Sequence, residues 1–264
     1  MSERFRASRS ATLDRSERSL SSPSNPFSVS ADEGYERWAP TYDLPLNPLL
    51  SLEERYVTPL LPSMMGKAVL DVACGTGRWL ERLVAVGATL GVGIDLSAAM
   101  LRIAATKIPI AGRLVRANCV QLPFGAARFD FAICSFALSH VRDLRAISRE
   151  LAMTLKPGAD LFVSDLHPEA DAQGWRTGFR DGTTAVRIKT IPHSVAEILE
   201  SFRPAGFDCC DLLAVHFGEP EEPIFVHALK EHLFQSAREV PAVLICRFRR
   251  NQLHWNTELV DGPI

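Results

Sequence analysis

The stretch "VLDVACGTGRWLERLVAVGATLGVGIDLS", Val69–Ser97, decides how this chain is read. Val69–Ala73 belongs to a short apolar run that stops at a glycine turn, as a strand buried on both faces does. Trp79, Leu80, Leu83, Val84 and Val86 then fall on one broad helical face, and Gly87 stops that helix. A second apolar run, Thr89–Asp95, ends in a carboxylate. Strand, glycine turn, helix and strand in this order have the mechanics of a nucleoside site. Glycines let a ligand approach the backbone, and an acid at the end of the second strand accepts hydrogen bonds from ribose hydroxyls. The dinucleotide fingerprint needs G-x-G-x-x-G; Gly75 and Gly77 supply two glycines, and Leu80 stands where the third belongs.

Outward from this unit the alternation continues. Ser97 is placed as N-cap of a helix through "SAAMLRIAATK". "RLVRAN" and "FDFAICSF" read as strands, "DLRAISRELAMTL" as a helix, and "KPGA" as the turn into a strand "DLFVSD". "HSVAEILESFRPAGF" is a helix with a glycine stop. "DCCDLLAVHFG" and "AVLICRFRR" are two more strands, joined through one surface helix rather than a full crossover. The expected fold is α/β: a doubly wound, mostly parallel, Rossmann-like sheet of seven strands with an antiparallel final strand.

Composition narrows the class. With 264 residues, 47% of them hydrophobic, the chain can bury the core of one α/β domain and a small lid. A net charge of -2 supplies no global basic field, so nucleic acid is not expected as partner. No apolar run reaches the length of a membrane span, and no secretory h-region precedes the domain, so a cytoplasmic protein is expected. Cys74, Cys119, Cys134, Cys209, Cys210 and Cys246 form no C-x-x-C pair and read as reduced core residues. Residues 1–30, rich in Ser and Arg, read as a disordered tail.

Beyond the glycine turn, several ordered blocks resemble the class I S-adenosylmethionine-dependent methyltransferases, the ubiquinone/menaquinone-type small-molecule subgroup in particular. Asp71 to Gly77 ("DVACGTG") is similar to that family's first motif, with Ala73 in place of its first glycine. "GIDLSAAML", "ANCVQLPFGAARFDFAICSFALSHV", "LKPGADLFVSD" and the upstream "YERWAPTYD" resemble its later blocks and its lid. The resemblance covers about residues 35–165 and implies a helical lid over 35–66, a cofactor half over 67–165 and an acceptor side over 166–264. It implies S-adenosyl-L-methionine as cofactor. Asp71 would lie beneath the methionine amino group, and Ala73, Cys74, Gly75 and Gly77 would make room for the ligand. Asp95 would hold the ribose, and Asn118 would face the adenine amino group. Leu96, Met100 and Cys119 would wall the adenine, though Met100 and Cys119 read equally well as core. Ser135 and Phe136 would lie near the methionine, with Tyr35 and Tyr42 capping the sulfonium.

The acceptor, a small molecule with an O, N or C nucleophile, is less defined. Its expected wall is Trp38, Trp175, Phe179 and His216. A base is needed only where the acceptor loses a proton as it attacks. His167, at the carboxyl end of the fifth main strand, is the first candidate and His140 the second; the rival readings are a turn-capping histidine and a support for the cofactor loop. The histidines have no metal-ligand spacing. Rival classes are a nucleic-acid or protein methyltransferase, a nicotinamide dehydrogenase, and a binding protein that kept the fold without the chemistry. "SFALSH" lacks the Asn/Asp-Pro-Pro-aromatic motif expected of nucleic-acid enzymes.

Overall fold

A computed structural model describes residues 27–44 and 46–252. In chain order the elements are β1 (Phe27–Val29), α1 (Ala31–Trp38), α2 (Pro48–Val57), β2 (Ala68–Val72), α3 (Arg78–Ala85), β3 (Leu90–Asp95), α4 (Ala98–Ala104), β4 (Leu114–Arg116), β5 (Phe129–Ser135) and α5 (Leu144–Thr154). There follow β6 (Leu155–Leu166), α6 (Pro168–Ala172), β7 (Gly178–Asp181), β8 (Thr184–Ile188), α7 (Val195–Phe202), β9 (Phe207–Val215), α8 (Glu222–His227), α9 (Glu231–Arg238) and β10 (Val243–Arg250).

Seven strands form the main sheet in the order β4-β3-β2-β5-β6-β10-β9. The first five run parallel, and β10 lies antiparallel to both β6 and β9. The chain moves outward from β2 to β4 and returns to β5 beside β2, which opens a crevice at the carboxyl ends of β2 and β5. Leu70, Val72, Ala132, Cys134, Leu161 and Val163 face one helical layer; Val69, Phe131, Ile133, Phe162 and Ile245 face the other. The large side chains among these contribute about 1.5–3 kcal/mol each by leaving water.

Local signals fix the crossover next to the crevice. Trp79, Leu80 and Leu83 of α3 are buried. The helix stops where Gly87, at φ +105°, lets the Gly87 and Ala88 amides donate to Val84 O and Leu83 O. Ser97 caps α4 by accepting from Met100 N at 3.1 Å. Ser194 and Glu197 close a capping box at the start of α7.

Four sequence expectations are corrected. The tail boundary at residue 30 is too late: Phe27–Val29 pairs in parallel with β8, and Ser30 caps α1; residues 1–26 of that expected tail lie outside the described residues. "KPGA" falls inside β6, and the pairing with β5 jumps from Phe129–Leu155 to Phe131–Asp160, so the turn is an excursion within one strand. The single surface helix before β10 is two helices, broken at Leu229 (φ +55°), and their Phe225 and Phe234 are buried. Cys209 and Cys210 are exposed on β9 rather than core, while Cys74, Cys134 and Cys246 are buried.

A second sheet, β1-β8-β7, was not legible. It joins the N-terminal segment to a hairpin in the 166–190 region and carries α1 against the crevice. Gly34 is the contact point: a Cβ there would stand 2.6 Å from Ile188 Cγ1.

Candidate active site

The crevice is a cavity of about 400 Å³ between the turns after β2, β3 and β5 and the lid helix α1. At its centre Asp95 accepts from Gly75 N through Oδ2 and from Ser97 N through Oδ1, both at 2.8 Å. These bonds aim the carboxylate and leave lone pairs for a diol. Burial raises the Asp95 pKa against the opposing pull of those two amides.

The glycine turn is held from below. Asp71 is buried and accepts from Leu80 N at 2.9 Å, pinning the first turn of α3. Burial pushes its carboxyl up to about 7. Its carboxylate thus lies at the base of the turn and also on the cavity wall. Ala73, at the family's first glycine position, adopts φ +56°, a left-handed conformation that costs a residue with a Cβ about 1 kcal/mol. Phe136 at the end of β5 is likewise left-handed, at φ +50°. Strained residues of this kind gather where surrounding structure holds a ligand site. At Gly75 a Cβ would meet nothing within 4 Å, so the turn leaves open space there. Gly77 does not line the cavity: its missing Cβ admits Ile110, whose Cδ1 occupies that space.

Tyr35, Tyr42, Asp71, Ala73, Cys74, Gly75, Asp95, Leu96, Met100, Asn118, Cys119, Ser135 and Phe136 all line this one cavity. Asn118 Oδ1 already accepts from Val120 N at 3.1 Å, an Asx-turn that orients the side chain. The α1 segment is tied to the turns after β2 and β3 by two carboxylates. Glu36 accepts from Ser97 Oγ and Ala99 N, and Asp43 accepts from Thr76 Oγ1 at 2.7 Å. Tyr35 O–H reaches His140 Nε2 at 2.9 Å. Burial lowers the His140 pKa, against the upward pull of Asp165, and raises that of Tyr35.

The expected acceptor residues divide. His140 lines the cavity; His167 does not. His167 is the N-cap of α6, its Nδ1 accepting from Glu169 N at 3.2 Å, which is the turn-capping alternative. Trp38 stacks on Phe179 with centroids 5.1 Å apart and meets Tyr42 edge-on, so both lie behind the lid tyrosines and not on the cavity wall. Trp175 stacks on Phe217, and His216 Nδ1 lies 3.0 Å from Arg238 O; neither lines the cavity.

Sequence reasoning missed Arg78 and Glu53. Glu53 on α2 is fully buried and accepts from Arg78 Nη2, Trp79 Nε1, Ser135 Oγ and Ser164 Oγ. No local pattern marks it, because its partners come from three other elements.

A parallel sheet that opens at its β2/β5 switch point onto a glycine turn and a strand-end carboxylate has the Rossmann-like fold of the S-adenosylmethionine-dependent methyltransferases. Residues 69–158 match the family described as methyltransferase domain. Demethylmenaquinone methyltransferase from Listeria welshimeri is 30% identical over 156 residues, 55% of this chain and 65% of its own. Ubiquinone biosynthesis O-methyltransferase from Thiobacillus denitrificans is 36% identical over 138 residues, 50% of this chain and 59% of its own. A solved S-adenosylmethionine dependent methyltransferase from Mesorhizobium loti has the same fold, with a TM-score of 0.60 at 22% identity over 75% of this chain and 98% of that one. Over residues 69–158 the chain is thus similar to methyltransferase domains, and the curated relatives it resembles are quinone-type methyltransferases. It spans 65% and 59% of the length of these two curated relatives.

Proposed function

We propose that the protein transfers a methyl group from S-adenosylmethionine to a small molecule bearing an ionisable hydroxyl. The cavity residues fit that cofactor. Asp95 would take the ribose hydroxyls; Leu96, Met100 and Cys119 the adenine; and the Gly75 turn the amino-acid end. When bound, the cofactor supplies a methyl group already activated on a sulfonium. This chain's residues have to align an acceptor, exclude water and receive a proton. Tyr35 and Tyr42, tied down by Glu36 and Asp43, shield the cavity from solvent. In the tautomer that leaves Nε2 bare, His140 receives the hydroxyl proton there, directly or through Tyr35. Burial keeps the ring neutral at neutral pH and so able to accept it.

The observation that carries this reading is the Tyr35–His140 pair on the wall of the same cavity as Asp95. Similarity to a ubiquinone biosynthesis O-methyltransferase supports a quinone precursor with a phenolic hydroxyl as acceptor. Titration calorimetry with S-adenosylhomocysteine and NAD tests the cofactor. Binding of the first and not the second is expected, and the reverse would remove the proposal. Methyl transfer to catechols and hydroquinones, measured against amines of similar size, tests the acceptor class.

A further inference from the structure

The inner end of the cavity carries a guanidinium that the reading above leaves without work. Arg78 is the first residue of α3, immediately after the glycine turn, and lines the cavity with Ser135 and Tyr42. Its Nη2 donates to Glu53 and to Ser135 Oγ, the latter at 3.2 Å. Its Cζ lies 4.9 Å from the Trp79 ring centroid. Nη1 is buried and has no hydrogen-bond partner among the described residues; Glu54 Oε2 lies 3.9 Å away. A guanidinium has five N–H donors, and leaving them unpaired in a partly buried site is costly.

Glu53 explains why the side chain stays in that pose. Its carboxylate is shared among Arg78, Trp79, Ser135 and Ser164, so it acts as a fixed bracket joining α2, α3, β5 and β6. The other arginine on the cavity wall, Arg142, is exposed. Of the four aspartates that line the cavity, Asp32 and Asp143 are exposed at its rim, while Asp95 and Asp71 lie beside and under the turn, where a ligand's hydroxyls and ammonium would be met. The remaining charge of an amino-acid end is its carboxylate, and Arg78 is the cation beside the turn.

We propose that Arg78 is the carboxylate-recognition residue for the amino-acid end of the cofactor, and that Glu53 is its positioning residue. The inference rests on the cofactor assignment above. An arginine–carboxylate bond in a shielded site makes the cofactor's carboxylate worth roughly 10- to 100-fold in affinity.

The test is calorimetry on the full chain with S-adenosylmethionine and decarboxylated S-adenosylmethionine, without acceptor. Wild type is expected to prefer the carboxylated ligand by that factor. Arg78→Met should bring the two affinities to within about threefold by weakening only the carboxylated ligand, and Glu53→Gln should reduce the preference partway. Arg78→Lys, which keeps a charge beside Glu53, should retain part of the preference and serves where Arg78→Met does not fold. A merely structural role predicts equal weakening of both ligands, which would overturn the proposal. Full preference in Arg78→Met and Arg78→Lys would overturn it as well, and would free the arginine for an acidic acceptor. If wild type binds neither ligand, the cofactor assignment fails and this proposal with it; if wild type binds both equally, only this proposal fails.

Discussion

The hydroxyl of Tyr35 lies 2.9 Å from Nε2 of His140, across 105 positions of sequence. The lid helix and the turn after β5 are thus joined at one wall of the cavity. Because burial holds the His140 pKa below its usual 6.5, turnover should persist to a lower pH than a free imidazole would allow. His140→Ala should slow turnover of a hydroxyl acceptor roughly 100-fold, the usual scale for losing a general base. Tyr35→Phe should cost less and leave the pH profile in place. Unchanged turnover in His140→Ala, measured across pH with saturating ligands, would remove the histidine from the mechanism.

Asp95 has a structural duty that its strand-end position alone does not reveal, since two backbone amides depend on it. Asp95→Ala should therefore weaken S-adenosylhomocysteine binding by roughly 100-fold and also lower the stability of the ligand-free protein by about 1–3 kcal/mol. Calorimetry and thermal melts report the two losses separately. An affinity equal to wild type would end the ribose assignment.

Asp71 makes stability depend on pH in an unusual direction. Its folded pKa of about 7 stands above the ordinary 3.8, so between those values the native state holds a proton that the unfolded chain releases. Stability falls as pH rises through that window, and the full cost, on the order of 4 kcal/mol, remains above it. Asp71→Asn keeps an oxygen to accept from Leu80 N and cannot ionise. Relative to wild type, its ligand-free Tm should improve steadily from about pH 5 to about pH 8. A Tm difference that stays constant over that range would refute the shift.

The sequence made the parallel core legible because each buried strand is an apolar run and each helix has a marked stop, as at Gly87. The carboxylate proposed to hold the ribose stood out for the same reason: Asp95 ends such a run. What escaped were features made by distant pairings. Phe27–Val29 is too short to carry a strand period, and it becomes a strand only because β8 receives it. Glu53 looks like one acid among others on an amphipathic helix, and only tertiary structure buries it. Trp175 reads as an acceptor residue from its place after β6, but its ring packs on Phe217 in the core layer of α8 and α9.

The lid sheet gives Gly34 a role that can be measured. The space for its Cβ is already occupied by Ile188 and Val29. Gly34→Val should push α1 off the β1-β8-β7 sheet and loosen Tyr35 over the cavity, while the main sheet is untouched. Proteolysis within residues 27–47 should accelerate, and S-adenosylhomocysteine affinity should fall several-fold. Equal protection and equal affinity in the variant would mean that the lid does not depend on this packing.

His167 stands at the end of the strand that leads toward the crevice, yet its ring turns to the start of α6. There it accepts from Glu169 N, with its own backbone amide donating to Ala242 O. Burial lowers its pKa, which by itself suits a base, but the cavity wall is made by His140 and not by His167. A base has to be within hydrogen-bond reach of the proton it takes, and geometry therefore decides between them. His167→Ala should lose the cap and about 1 kcal/mol of stability, with turnover and cofactor affinity near wild type. His167→Asn, which restores a capping oxygen, should recover the stability. Turnover is to be compared at a temperature where both proteins are fully folded. If His167→Ala then proved slower by roughly two orders of magnitude, the scale of a lost base, the catalytic role would return to His167 and the acceptor would have to enter from the α6 side.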